Sequence, residues 1–361
     1  MHVPIGWRRL WSRENLAGVL HRAGALGAMM RVRRFAPVPT LSIITYHHIA
    51  EDDPAYPYDP GVADASPSQF RRQIETLVRY GTPVGIDELV RAVDGESLPA
   101  NAVMVTFDDG YRSCHDVALP ILRAAGVRAT FFIPTKFVSE RRLYWWERIA
   151  LALSRRRRDR VTLGYPHAVD VDASDPAALR KLTDLIKDSP GLDVDRFVDD
   201  ILAALDVPWA RADETAMADS LIMSWDHVRA LAAAGMDVES HTRSHRVLQT
   251  LDDASLHDEL ANSRTELETQ LGRVVRAVAY PVGRRIVHDR RLREAVAGAG
   301  YRVGLTNASG VNRLWPRAVR GLLPVDPLDV SRLSTDRSMS DAMFLTQVAV
   351  PRLAYVSSHN R

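Results

Sequence analysis

Asp108 and Asp109 stand side by side at the end of an apolar run, in Val103-Met104-Val105-Thr106-Phe107-Asp108-Asp109-Gly110. Two carboxylates this close raise each other's proton affinity unless a cation or a division of roles relieves them. A metal ligand beside a general base is such a division. Far downstream, His241-Thr242-Arg243-Ser244-His245 places two imidazoles at i and i+4, which share a face if the segment is a helical turn. Imidazoles at that spacing can hold one Zn²⁺, with a carboxylate from elsewhere as third ligand, and Asp109 could supply it. Three protein ligands leave a position open for water, the arrangement a hydrolase needs.

These residues need elements to position them. Ala102 to Phe107 reads as a buried strand. Val274 to Val278 is a second apolar run, closed by Ala279-Tyr280-Pro281-Val282-Gly283 as a Pro-x-Gly turn. Leu41 to Tyr46 is a third, ending in His47-His48; if the strand continues, His47 and His48 point to opposite faces. Polar groups gathered at strand C-termini are the pattern of a β/α-barrel active face. Each motif alone has a plainer reading: a cap, a surface helix, a turn, a pair of core-edge histidines. Their appearance together, each behind a strand-like run, favours a catalytic site.

T-F-D-D-G, H-T-x-x-H and Y-P-x-G in this order resemble the polysaccharide deacetylase family, carbohydrate esterase family 4. Ala118-Leu119-Pro120-Ile121-Leu122 and Gly126-Val127-Arg128-Ala129-Thr130-Phe131-Phe132 extend the likeness, which covers roughly residues 40–135 and 222–325. The resemblance implies an α/β fold, a distorted (β/α)7 barrel. It implies Asp108 as general base and Asp109, His241 and His245 as metal ligands. It puts Tyr111, Pro281, Val282 and Gly283 on the substrate and oxyanion side, with the Val282 N–H as oxyanion donor. In the common arrangement a late L-x-H motif supplies the general acid. After His245 the histidines are His257, His288 and His359, and none follows such a run. Tyr46-His47 offers the substitute, so the resemblance is closest to the exopolysaccharide poly-N-acetylglucosamine deacetylase subgroup, with His47 as acid. One departure stands out. Many members carry an arginine two residues before the motif-three proline, orienting the base, and Ala279 occupies that place. Arg276 is nearby, and Asp326 is the candidate for the fourth-motif acid.

The implied activity is metal-dependent N-deacetylation of an acetylated amino sugar, in a polysaccharide or a lipid-linked glycan precursor, releasing acetate. A same-fold amidohydrolase on a small non-sugar amide is one alternative; a catalytically silent glycan-binding barrel is another. The cofactor expected is a divalent metal, Zn²⁺ first, though Co²⁺ and Ni²⁺ accept the same ligands.

At 361 residues the chain can bury a barrel core and still carry an insertion. A net charge of +2 gives no strong field for nucleic acid, so the expected partner is a glycan or lipid-linked saccharide. The single cysteine, Cys114, fits a reducing, cytoplasmic compartment and reads as a small buried side chain. Residues 1–38, with Arg8, Arg9 and Arg13 ahead of apolar runs, read as an amphipathic segment that either lies on a membrane surface or docks on the barrel. The barrel is assigned to 39–330, with a helical insertion over its mouth at about 138–222, and 331–361 to an irregular tail with a short apolar helix. Within the insertion, Trp145 and Trp146 could stack on sugar rings or pack the insertion down. Ser66 and Ser224 read as helix N-caps, and Glu239 as a group orienting a metal ligand.

Overall fold

The computed structural model describes residues 13–35, 40–310, 312–314 and 325–350. Arg8 and Arg9 of the basic start, and residues 351–361 of the tail, lie outside the described residues. Seven parallel strands form the ring: β1 (Thr40–Tyr46), β2 (Ala102–Phe107), β3 (Ala129–Ile133), β4 (Asp237–Ser240), β5 (Ala277–Ala279), β6 (Val303–Ser309) and β7 (Val330–Ser334). Each pairs with the next, and β2 and β7 both pair with β1, which closes the barrel. This is the distorted (β/α)7 barrel expected.

The distortion is local. β1 and β2 run together from Leu41↔Ala102 to Tyr46↔Phe107. β4 and β5 meet at one register pair, Val278↔Ser240. There the Glu239 carboxylate accepts the backbone N–H groups of Arg276 (2.7 Å) and Ala277 (2.8 Å) and so ties the two strands. Glu239 is thus a strand brace, not the ligand-orienting group expected of it. Burial pushes its pKa up to about 7, against the pull of those N–H donors.

Strand alternation separates two apolar layers. Leu41, Ile43, Met104, Phe132, Ala279 and Val330 form the layer inside the ring. Ile44, Tyr46, Val105, Phe107 and Phe131 face outward under the helices. The same parity carries Thr45, Thr106, Asp108 and Arg332 inward, and the Thr45 and Thr106 hydroxyls are 3.1 Å apart.

The N-terminal helices α1 (Arg13–Arg22) and α2 (Ala25–Arg33) dock on this body. Leu26 and Met30 are buried. Asn101 Nδ2 donates to Met30 O at 2.7 Å, and Arg33 donates to Thr40 Oγ1 at 2.7 Å and Ala349 O at 3.1 Å. No described helix is long and apolar enough to cross a membrane. Helix α3 (Pro67–Tyr80) starts as expected, with Ser66 Oγ accepting from Gln69 N and Phe70, Ile74 and Leu77 buried.

The segment between β3 and β4 holds α4 (Trp145–Ser154), α5 (Ala178–Asp188), α6 (Val194–Ala204) and α7 (Arg211–Leu221). It also holds an antiparallel hairpin, Arg160–Leu163 with Val169–Asp172, that a purely helical insertion did not include. The irregular tail assigned from residue 331 needs a larger correction. Its start, in β7, is a barrel strand, followed by a helix α8 (Asp341–Ala349) packed on α1 and α2. The Ser and Arg residues in Val330-Ser331-Arg332-Leu333-Ser334 mask the strand from a reading by apolar runs.

Candidate active site

Past Phe107 the backbone turns through two left-handed residues, Asp109 (φ 67°) and Gly110 (φ 77°). Aspartate enters this region more readily than most side chains, and glycine enters freely. After β4 the chain forms a loop in which Thr242 (φ 63°) and His245 (φ 56°) are also left-handed. His241 and His245 are therefore not on a helical turn, as their spacing suggested. The loop reversals bring the rings together instead, with centroids 4.8 Å apart. Nε2 of each lies 3.3 Å from Asp109 Oδ1.

These three residues fit a divalent cation. His241 Nδ1 sits 2.8 Å from Ala279 O, to which it donates, so its Nε2 lone pair faces Asp109. Asp109 Oδ1 is buried with no hydrogen-bond partner among the described residues. An orphaned carboxylate oxygen between two imidazole nitrogens is what a cation would satisfy. Burial alone would raise the Asp109 pKa, but His241 and His245 outweigh it and hold the carboxyl below its usual range. Burial lowers His245 to about 3. Both groups are thus deprotonated at neutral pH, as ligation requires. A second cluster, His115, Asp116 and His227, is engaged otherwise: Arg112 bonds Asp116 at 2.8 Å, and His227 Nδ1 accepts Ser224 N at 3.0 Å in the helix cap.

Asp108 is held by a group the sequence reading missed. Arg332 on β7 reaches it with Nη1 to Oδ1 and Nη2 to Oδ2, both at 2.7 Å. Neither side chain is more than 1% exposed. Burial would raise the Asp108 pKa; Arg332, then His241, reverse this and leave it lowered. The guanidinium absent at position 279 thus arrives from a different strand. Arg276 and Asp326 do not reach the site. Arg276 bonds Asp87 at 2.5 Å, and Asp326 takes a two-pronged bond from Arg293.

His47 projects to the same side of the barrel as Asp108. Its Nδ1 lies 2.9 Å from Asp64 Oδ2, which also accepts the His47 backbone N–H. Asp64, in Ala63-Asp64-Ala65, is a second residue missed; an acid isolated between small apolar residues was its only signal. Burial works against the imidazolium, but Asp64, followed by Asp109 and Asp108, lifts the His47 pKa to about 10. Burial also holds Asp64 above its usual value while His47 pulls it down. The two-point contact favours an imidazolium facing a carboxylate. His48 turns away, bonded to Ser113 Oγ at 2.7 Å, with its pKa lowered to about 4 by burial and then by Arg337.

Val282 is left-handed (φ 61°), a costly state for a β-branched residue, inside the Pro281–Gly283 turn. A Cβ on Gly283 would meet Asn307 at 2.3 Å, so that position must be glycine. The aromatic residues are placed differently from expectation. Trp145 and Trp146 are 4% and 5% exposed, too buried to offer faces to a glycan. Trp146 packs on the His245 ring at 4.6 Å, and Trp145 Nε1 donates to His245 O at 3.4 Å. Tyr111 is buried, its hydroxyl donating to Glu147 and accepting from Trp146 Nε1, which leaves that hydroxyl no free role toward substrate. Tyr144 donates to Asp109 O at 2.5 Å. The insertion therefore clamps the site from above.

The family model for polysaccharide deacetylase matches residues 95–182 and 187–304. No curated protein matches the chain. Among solved structures, the chain is similar to the Streptococcus pyogenes deacetylase PplD in complex with acetate, with 19% identity, TM-score 0.54 and coverage of 86% of this chain and 98% of that one. IcaB from Ammonifex degensii aligns at 18% identity and TM-score 0.50 over 89% and 99%. A de-N-acetylase from Aggregatibacter actinomycetemcomitans aligns at 16% identity and TM-score 0.51 over 83% and 97%. At such identities these likenesses show a shared fold, and no subgroup stands out among them. The family model covers more than half of the chain, across the strands and loops that bear both the aspartate pair and the histidine pair, and the chain belongs to the polysaccharide deacetylase family.

Proposed function

We propose that this protein is a metal-dependent N-deacetylase that hydrolyses the acetamide of an amino sugar in a polysaccharide or lipid-linked glycan precursor. The observation that carries this reading is the meeting of Asp109, His241 and His245 around one point, with Asp108 and His47 beside it. A divalent cation held by Asp109 Oδ1 and the two Nε2 atoms supplies Lewis acidity that makes water nucleophilic near neutral pH. Zn²⁺ suits this donor set.

The chain's own residues do the proton work. Asp108, ionised and aimed by Arg332, takes the proton of the attacking water. The Val282 N–H faces the oxygen on which charge develops. His47, kept protonated by Asp64, gives its proton to the departing amine. Acetate and a free amino sugar result. The Tyr46-His47 motif supports the subgroup acting on poly-N-acetylglucosamine. The test is acetate release from N-acetylglucosamine oligomers, before and after chelation and with Zn²⁺ restored. Release only from small non-sugar amides would favour the amidohydrolase reading; no release despite bound metal would leave a glycan binder.

A further inference from the structure

Beside the metal-ligand loop lies a cavity of about 290 Å³, walled by α4, the start of α6 and residues Ser244 and Arg246. Trp145, which hydrogen-bonds the His245 carbonyl, forms part of its wall. The cavity and the metal residues thus share one loop. Four cations and two carboxylates line it.

Three of those cations are committed. Lys136 bonds Asp195 at 3.0 Å, Arg142 bonds Asp195 at 3.0 Å and also Glu214, and Arg148 joins Asp195 to Asp199. Arg246 is different. It is half-buried, yet it forms no hydrogen bond or ion pair among the described residues. The acids whose charges act on it are Glu259, Asp193 and Asp195. Each is already engaged. Glu259 accepts from Arg243 N, Ser244 N and Ser244 Oγ; Asp193 caps α6 through Arg196 N; Asp195 holds the cations just named. A half-buried guanidinium with five donors and no acceptor calls for an anionic partner.

Resting on the deacetylase reading, we propose that this cavity is a subsite for an anionic substituent of the glycan, a carboxylate or a phosphate on the reacting sugar or the unit beside it, and that Arg246 is its specificity-determining residue. A planar guanidinium takes either group through paired N–H bonds. The subsite turns a general acetamide hydrolase into one that prefers acidic glycans.

The test compares three N-acetylglucosamine oligomers of one length: unsubstituted, with 3-O-lactyl carboxylates, and with 6-phosphates. The wild-type metal-loaded protein is expected to favour one acidic series by about 10- to 100-fold in kcat/KM, chiefly through KM. The two acidic arms separate carboxylate from phosphate. Arg246→Gln is expected to erase the preference while leaving turnover of the neutral oligomer within about 2-fold, and Arg246→Lys to recover part of it. Calorimetry with the already deacetylated acidic oligomers, which needs no turnover, is expected to show binding to the wild type and its loss in Arg246→Gln. Equal kcat/KM on neutral and acidic oligomers, or equal losses on all three in Arg246→Gln, overturns the subsite. Absence of acetate release from every oligomer overturns the deacetylase reading instead.

Discussion

At the scale of single residues, the site divides labour between two adjacent aspartates. Asp109 faces two imidazoles, and Asp108 faces a guanidinium. Asp108→Asn and His47→Ala are each expected to lower kcat/KM by about 10²–10⁴ while leaving metal content, read by elemental analysis, unchanged. The pH profile follows from the shifts. With Asp108 lowered and His47 raised to about 10, activity should hold across neutral pH and fall on the alkaline side as His47 loses its proton. Asp64→Asn removes the main group raising His47, so the alkaline limb should move to lower pH. An unmoved limb would remove Asp64 as the positioning residue. The same pair acts on stability. His47's folded pKa lies above the free value of about 6.5, so its contribution is full below that pH and is lost as pH rises through about 10. The aspartates and histidines were legible in the sequence because the chemistry requires those types at strand ends. Arg332 and Asp64 were not. Arg332 stands 224 positions from Asp108, and nothing local to either residue records the pairing.

At the scale of elements, the last barrel strand carries more than a closing role. β7 aligns Arg332 with the interior because Val330, two residues earlier, faces the core. Arg332→Met leaves a buried carboxylate without its partner. It should destabilise the fold by about 3–5 kcal/mol, read by denaturant unfolding, and shift the acid limb of activity upward as Asp108 becomes easier to protonate. The insertion is the other active element. Tyr144→Phe removes the bond to Asp109 O and should weaken metal affinity about 10-fold in a competition titration with a chelator. The apolar runs that form β1 and β2 and lead into β5 were readable by pattern. β7 and the Arg160–Leu163 hairpin were not, since polar side chains interrupt them and long-range pairing alone sustains them. The spacing of His241 and His245 suggested two imidazoles on one face, and they meet through a different element: a loop with left-handed Thr242 and His245 does what a helical turn was expected to do.

At the scale of the molecule, the fold gathers groups from β1, β2, β4, β5 and β7 onto one end of the barrel, beneath the α4 clamp. The family and the barrel were legible from three motifs, because those motifs sit where strands meet loops. The path of the insertion and the docking of α1 and α2 depend on surfaces meeting in space. Metal binding should raise the melting temperature in wild type and leave Asp109→Ala unmoved, since a ligand held only by the folded state stabilises by about 2.7 kcal/mol at 100 times its Kd. The most direct test of the central claim is a Zn²⁺ titration of chelator-treated protein with acetate release from N-acetylglucosamine oligomers as readout. Release should climb linearly to a plateau at one ion per chain and stay at background in Asp109→Ala. Release that ignores the metal, or a fully loaded protein that frees no acetate, would contradict that claim.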